Sequence, residues 1–269
     1  MPIPFSRAPR CRANRPAGSL PGVAAATLLC LLAPSVLHAA TPAAPPANRV
    51  SPARPAWRLV TDSVTLRTRA LKLDARIPRV IGLSDSTRQR INQALELPLR
   101  ADIAAVRHDY RAEPAGRNGR GTPDEFLYDY TARPNPRGLV SVSLVSWSYT
   151  GGAHGNGNLA TRHFDSSTGA PVSLPGLFKP GVQWKPRVMG ELALQIRARN
   201  ADERKKAPEM PADWQPFEMP RDLNAQQPFW FSPAGDLVLA FGQYEVAAYA
   251  YGMPQFTIPA ARIADLLTR

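Results

Sequence analysis

Residues 71–77 read Leu71-Lys72-Leu73-Asp74-Ala75-Arg76-Ile77, and residues 84–110 follow with Ser84-Asp85-Ser86-Thr87 and then Ile91, Leu95, Leu99, Ile103, Val106 and Tyr110 at intervals of three and four. The first piece alternates apolar and charged side chains, as a half-buried strand requires; the second lines one face of a helix. Ser84 to Thr87 supplies a good N-cap. Pro78 is expected to end the strand or place it at an edge, and Pro98 to kink the helix or split it in two. A strand followed by a long amphipathic helix, with further strands downstream, makes the chain α+β: a mixed or antiparallel sheet with a few packed helices.

Downstream, Glu113 to Asp124 is rich in Gly, Arg and Pro and reads as a mobile surface loop. Two β segments follow, Phe126 to Ala132 and Leu139 to Tyr149, separated by the turn residues Arg133 to Gly138. In the second, Val140, Val142 and Leu144 keep one phase while Val145, Trp147 and Tyr149 keep the other, which predicts a β-bulge near Leu144. A glycine-rich loop, Gly151 to Gly157, leads to a short strand at Leu159 to Phe164 and a turn at Asp165 to Gly169. Val188, Leu192 and Ile196 mark a second helix, with Pro186 in its first turn. The proline-rich stretch from Arg204 to Pro228 reads as an irregular, packed connection. The end is again β, at Phe229 to Phe231, Leu237 to Phe241 and Gln255 to Ile258. Pro259 then opens a short helix carrying Ile263, Leu266 and Leu267.

Upstream, Arg7, Arg10, Arg12 and Arg15 precede an apolar run from Val23 to Ala33, and Leu37-His38-Ala39-Ala40 follows. This is the layout of a secretory signal peptide. The run is about half of the ~20 residues a membrane-spanning helix needs. Residues 1–40 are therefore expected to be removed, which makes the protein periplasmic or secreted. Both cysteines, Cys11 and Cys30, lie in that segment, so the mature chain is expected to hold no disulfide or cysteine-ligated metal. The segment carries four arginines and no acid, so its loss lowers the net charge from +12 to +8. That balance favours anionic envelope surfaces. Nucleic acid is not expected as a partner, because no arginine-rich helix interleaved with aromatics is present. Residues 41–56, rich in Ala and Pro, read as an extended linker. Folded structure is expected from Trp57, as an N-terminal α+β half over 57–138 and a C-terminal half over 139–269.

Three pieces carry a family resemblance: Ser148-Tyr149-Thr150-Gly151-Gly152-Ala153-His154; Phe164-Asp165 with Thr168-Gly169; and Tyr244-Glu245-Val246-Ala247 with Tyr249-Ala250. In order and spacing the chain resembles, over most of 57–269, the paired domains of unknown function in the extracytoplasmic part of RsiV, the lysozyme-sensing anti-sigma factor. A related domain precedes the catalytic module of some peptidoglycan deacetylases, and the 57–138 half is of that deacetylase-associated type. The resemblance implies an α+β fold and a binding role. About twenty residues precede the apolar segment, too few for a cytoplasmic sigma-binding domain, so no sigma factor is expected as a partner. Nor is a deacetylase module expected, for want of a metal-binding motif or spare length.

The candidate ligand-binding residues are Tyr149, Gly151, Gly152, His154, Tyr244, Glu245 and Tyr249. The glycine loop either lets backbone approach a partner, with His154 as donor or acceptor, or is a connection that needs positive φ. It lacks the lysine-serine ending of a phosphate-binding loop. Tyr244, Tyr249 and Tyr251, with Trp147 and Tyr149, either form an aromatic surface for a sugar ring or protein partner or pack in the core. Glu245 either holds the loop before Gly252 through backbone hydrogen bonds or, in its apolar neighbourhood, serves as an acid. A second carboxylate for glycosidase chemistry cannot be assigned. A zinc site would need His108, His154 or His163 together with a carboxylate such as Asp165. No catalytic residue, metal or cofactor is assigned. The leading expectation is an exported envelope binding module for a lysozyme-type enzyme or for peptidoglycan. The alternatives are an envelope glycan hydrolase using Glu245 and a structural envelope protein.

Overall fold

The computed structural model describes residues 57–133, 135 and 137–268. The signal segment with Cys11 and Cys30, the 41–56 linker, and Pro134 and Pro136 of the predicted turn lie outside the described residues. The chain is α+β. Strands β1 (Arg58–Arg67), β2 (Leu71–Ile81), β3 (Asp124–Ala132), β4 (Leu139–Tyr149) and β5 (Asn156–Asp165) form one sheet in sequence order. Only β2 and β3 run parallel, because the 25-residue helix α1 (Asp85–Asp109) carries the chain back between them.

Helix α1 covers one face of this sheet. Leu71, Leu73, Ala75 and Ile77 pack with Ile103 and Tyr110, and Val80, Val140, Val142 and Phe164 pack with Ile91 and Leu95. The predicted apolar stripe is thus the buried one. α1 runs unbroken through Pro98, which corrects the expected split: Pro98 lies on the exposed side, where water can take the carbonyl it frees. Strand β2 likewise continues past Pro78. Its pairing with β3 stops at Ala75, so the proline falls where that side has no strand partner. Asn92 of α1 fills part of the gap, accepting from Val80 N at 2.7 Å and donating to Val80 O at 3.0 Å.

The second sheet is β6 (Phe229–Phe231), β7 (Leu237–Ala240) and β8 (Gln255–Ile258), all antiparallel. One side, with Trp230, Val238 and Ala240, packs on Leu159 of β5; the other, with Leu237 and Leu239, packs under Val188, Leu192 and Ile196 of α2 (Trp184–Lys206). Burial on both sides explains the uninterrupted apolar runs of β6 and β7. A short closing helix, α3 (Ala260–Ile263), and the residues after it place Ile263, Leu266 and Leu267 in the same core. The connection from Arg204 to Pro228 is irregular and packed as expected. Phe217 and Leu223 are buried, and Asn200 of α2 bonds both the N–H and the C=O of Phe217.

Two expectations are corrected. β4 pairs with both neighbours in one continuous register, so there is no bulge near Leu144. The change of phase arises because the first half of β4 is buried on both faces, by α1 on the Val140 side and by the second sheet on the Ser141 side, whereas its second half is only partly covered. The loop before β3 is tied down. Asp124, fully buried, accepts from the N–H groups of Arg117 and Asn118 at 3.1 Å and from the Tyr110 hydroxyl at 2.5 Å, while the Arg117 guanidinium lies 4.7 Å from the Tyr110 ring. Strand β1, at the edge of the sheet, has no buried residue, so its sequence shows little apolar contrast. The boundary read at 138 falls in the β3–β4 turn, and β4 and β5 hydrogen-bond into the first sheet.

Candidate functional site

The glycine loop joins β4 to β5, and the segment following β7 lies against it. Gln243 accepts the Gly157 N–H at 3.0 Å. This brings together His154, Tyr244 and Tyr249, residues about ninety positions apart in sequence. The imidazole stacks on the Tyr249 ring with centroids 3.7 Å apart and planes 20° apart. Its Nδ1 lies 3.0 Å from Gly155 O and its Nε2 3.1 Å from the Tyr244 hydroxyl. With the proton on Nδ1 the ring donates to Gly155 O and accepts from Tyr244. Tyr249 also donates its hydroxyl to Gly155 O, at 3.1 Å.

Tyr244 stands out within the group. It has φ of 65°, the left-handed region that bulky L residues rarely occupy, and it is 62% exposed. Such a conformation costs on the order of 1–3 kcal/mol and persists where the surroundings enforce it. Here the hydroxyl contact with His154 and the turn around it hold the ring at the surface. Glu245, next to it, is exposed, and its Oε2 accepts the Gly242 N–H at 2.8 Å, tying the turn that carries Tyr244.

Tyr149 is placed apart from this group, donating its hydroxyl to Gly152 O at 3.1 Å beneath the Arg120 guanidinium, 5.8 Å from its ring. Gly151 and Gly152 have φ of 113° and 85°, so the backbone path alone asks for glycine at both. Gly155 is set by space: a Cβ there would lie 2.4 Å from ring atoms of Trp147. Gly155→Ala is expected to destabilise the protein by about 1–3 kcal/mol and to change the Trp147 environment. Unaltered tryptophan fluorescence and an unchanged melting temperature would show that the ring yields freely. Tyr251 leaves the cluster, packing on Phe217 at 4.7 Å.

The groups considered for zinc do not converge. His163 bonds Ser141 Oγ through Nδ1 at 2.9 Å and stacks on Phe229, Asp165 accepts from the Ser167 and Thr168 N–H groups of its turn, and His108 lies at the exposed end of α1. Among the described residues no group of three or more His, Cys, Asp or Glu side chains could hold a metal ion, and no helix is long and apolar enough to cross a membrane. Sequence reading missed Gln243 and Met253, which pack against Gly157; a glycine marks such a close approach but not the residues that make it.

Residues 176–261 match the family described as a protein of unknown function, DUF3298, and residues 65–157 match the family described as deacetylase PdaC. Two such domains in one chain are consistent with the paired domains of unknown function expected from the sequence. The first contains α2 and the whole second sheet, the second contains α1 and most of the first sheet, and the candidate site draws on both. No curated protein matches the chain. A DUF3298 family member from Bacteroides fragilis, of known crystal structure, is similar at 15% identity and a TM-score of 0.59, over 80% of this chain and 96% of that one. A DUF3298 family protein from Pseudomonas aeruginosa aligns at 18% identity and a TM-score of 0.49, over 79% and 94%. At 15% identity the likeness to the Bacteroides fragilis member shows the fold alone.

Proposed function

We infer that the protein is an exported binding module of the cell envelope, and that the His154–Tyr244–Tyr249 cluster is its recognition surface. The observation that supports this most is Tyr244, an exposed aromatic ring held in a strained backbone conformation by groups from two distant segments. A fixed aromatic face of this kind suits stacking on a sugar ring or anchoring a protein partner, since its ordering cost is met before binding. The RsiV-like reading names the partners to test: a lysozyme-type enzyme, or peptidoglycan itself. With residues 1–40 removed the chain has a net charge of +8, so a neutral or acidic muramidase fits better than a strongly cationic one, whose like potential opposes docking.

The test is binding of protein lacking residues 1–40 to insoluble peptidoglycan and to immobilised lysozymes of differing charge, at low and moderate salt. Saturable, salt-resistant binding to one partner is expected, and Tyr244→Ala should weaken it about 30-fold, the effect of losing an aromatic anchor of roughly 2 kcal/mol. His154→Ala should weaken it less, because it acts by holding Tyr244. Unchanged affinity in both variants would remove the site assignment, and binding to none of these partners would remove the partner assignment. The bond from the Gly242 N–H to Glu245 supports the reading in which Glu245 holds the turn. Release of labelled fragments from peptidoglycan between about pH 4 and 8, lost in Glu245→Gln, would instead establish the hydrolase reading.

A further inference from the structure

A second feature, independent of that surface, lies where the β3–β4 turn meets the C-terminal core. A cavity of about 260 Å³ is walled by Leu139, Val172, Leu177, Phe231 and Leu267, with Arg137 at its edge. The Arg137 guanidinium carbon sits 4.6 Å from the centre of the Phe231 ring. Its Nε is buried without a hydrogen-bond partner, and among the described residues no carboxylate pairs with its guanidinium. Other arginines of the first sheet and α1, such as Arg67, Arg76, Arg79 and Arg100, reach acidic side chains. The backbone of Arg137 is fixed by an Asn135 side chain that accepts its N–H at 2.8 Å and in turn donates to Ser141 Oγ.

Among the described residues, then, this arginine presents a guanidinium without a carboxylate beside an apolar hollow. We propose that the cavity is a binding site for a small carboxylate with a compact apolar body, the carboxylate meeting the Arg137 guanidinium and the body filling the space between Leu139, Leu177 and Leu267. The guanidinium fork matches a carboxylate in shape and charge. A phosphate dianion would leave a second negative charge unmatched against five apolar side chains, a costly arrangement. The cavity lies below the ~300 Å³ lower bound of sites for drug-sized ligands, which limits the occupant to about the size of one or two amino-acid residues. Two sources share this chemistry, a free branched-chain monocarboxylate and the C-terminal residue of a peptide.

The test is titration of the full-length protein, followed by calorimetry and by NMR, with 4-methylpentanoate and with N-acetylleucine, each against its uncharged amide. A Kd of about a millimolar is expected for the acid that fits, as for other ligands of this size, with the amide weaker by about ten-fold or more. Arg137→Gln should abolish the preference for the acid, and Arg137→Lys, which keeps the charge but not the fork, should retain part of it. Val172→Phe, which fills the cavity, should abolish binding of both. Preference for N-acetylleucine over 4-methylpentanoate identifies a peptide terminus, and the reverse a free acid. Equal binding of acid and amide, or no saturable binding of any probe, overturns the proposal even without a variant. Tyr244→Ala should leave these titrations unchanged, which keeps the outcome separate from that of the aromatic surface.

Discussion

Acidification is expected to destabilise the protein through His163 by about 4–5 kcal/mol between neutral pH and pH 3. The imidazole is 4% exposed and lies between the two sheets, stacked on Phe229 at 3.9 Å with Nδ1 on Ser141 Oγ. Burial pushes it from 6.5 down to about 3; the Phe229 backbone opposes this and the Arg162 charge adds to it. Nε2 has no hydrogen-bond partner, so a second proton there would be a buried, unmatched charge. The unfolded chain therefore takes up a proton below about pH 6.5 that the folded chain refuses until about pH 3. Stability from this residue is complete above the unfolded value and is lost as pH falls through the window. Urea midpoints at pH 7, 5 and 4 should diverge between the parent and His163→Gln, which keeps a polar partner for Ser141 but does not titrate. Parallel acid slopes in the two proteins would show that other groups carry the acid response.

Asp124→Ala is expected to cost about 3–5 kcal/mol, the sum of several buried donors left without an acceptor. The carboxylate is fully buried and accepts from Tyr110 and from the Arg117 and Asn118 backbone. Burial and the bond to Asp124 push the Tyr110 phenol well above its usual range, so it remains a donor at all ordinary pH values. The effect should extend to the glycine loop, because a Cβ at Gly151 would lie 3.2 Å from the Asn118 backbone, so the two loops are in contact. A melting temperature lower by about 10 °C is expected for a chain of this size, with protease cleavage appearing between residues 111 and 123. Asp124→Asn should lose less, because its amide oxygen can still accept from the backbone. A drop of under about 1 kcal/mol for the alanine variant would mean that the loop finds other acceptors.

The helix stripe from Ile91 to Tyr110 and the alternation from Leu71 to Ile77 were legible because each buries one face against one neighbour, and side-chain periodicity reports that directly. Strand β4 was misread as bulged because two layers bury it from opposite sides, a fact that belongs to the second sheet and not to β4. Strand β1 was passed over because half-exposed edge residues show little contrast. Of the candidate site, the glycine loop and the tyrosine segment were each visible as composition. Their meeting was not, since it depends on where β7 delivers the chain relative to β5. The sequence by itself determined the elements other than β1, their order and the α+β class, because these follow from local period, turn residues and prolines. Only the tertiary structure decided that His154, Tyr244 and Tyr249 form one surface while Tyr149 stands apart, that Glu245 accepts within a turn, and that the Arg137 guanidinium faces a cavity with no carboxylate on it among the described residues. Those relations are set by packing between segments far apart in the chain, which no local pattern records.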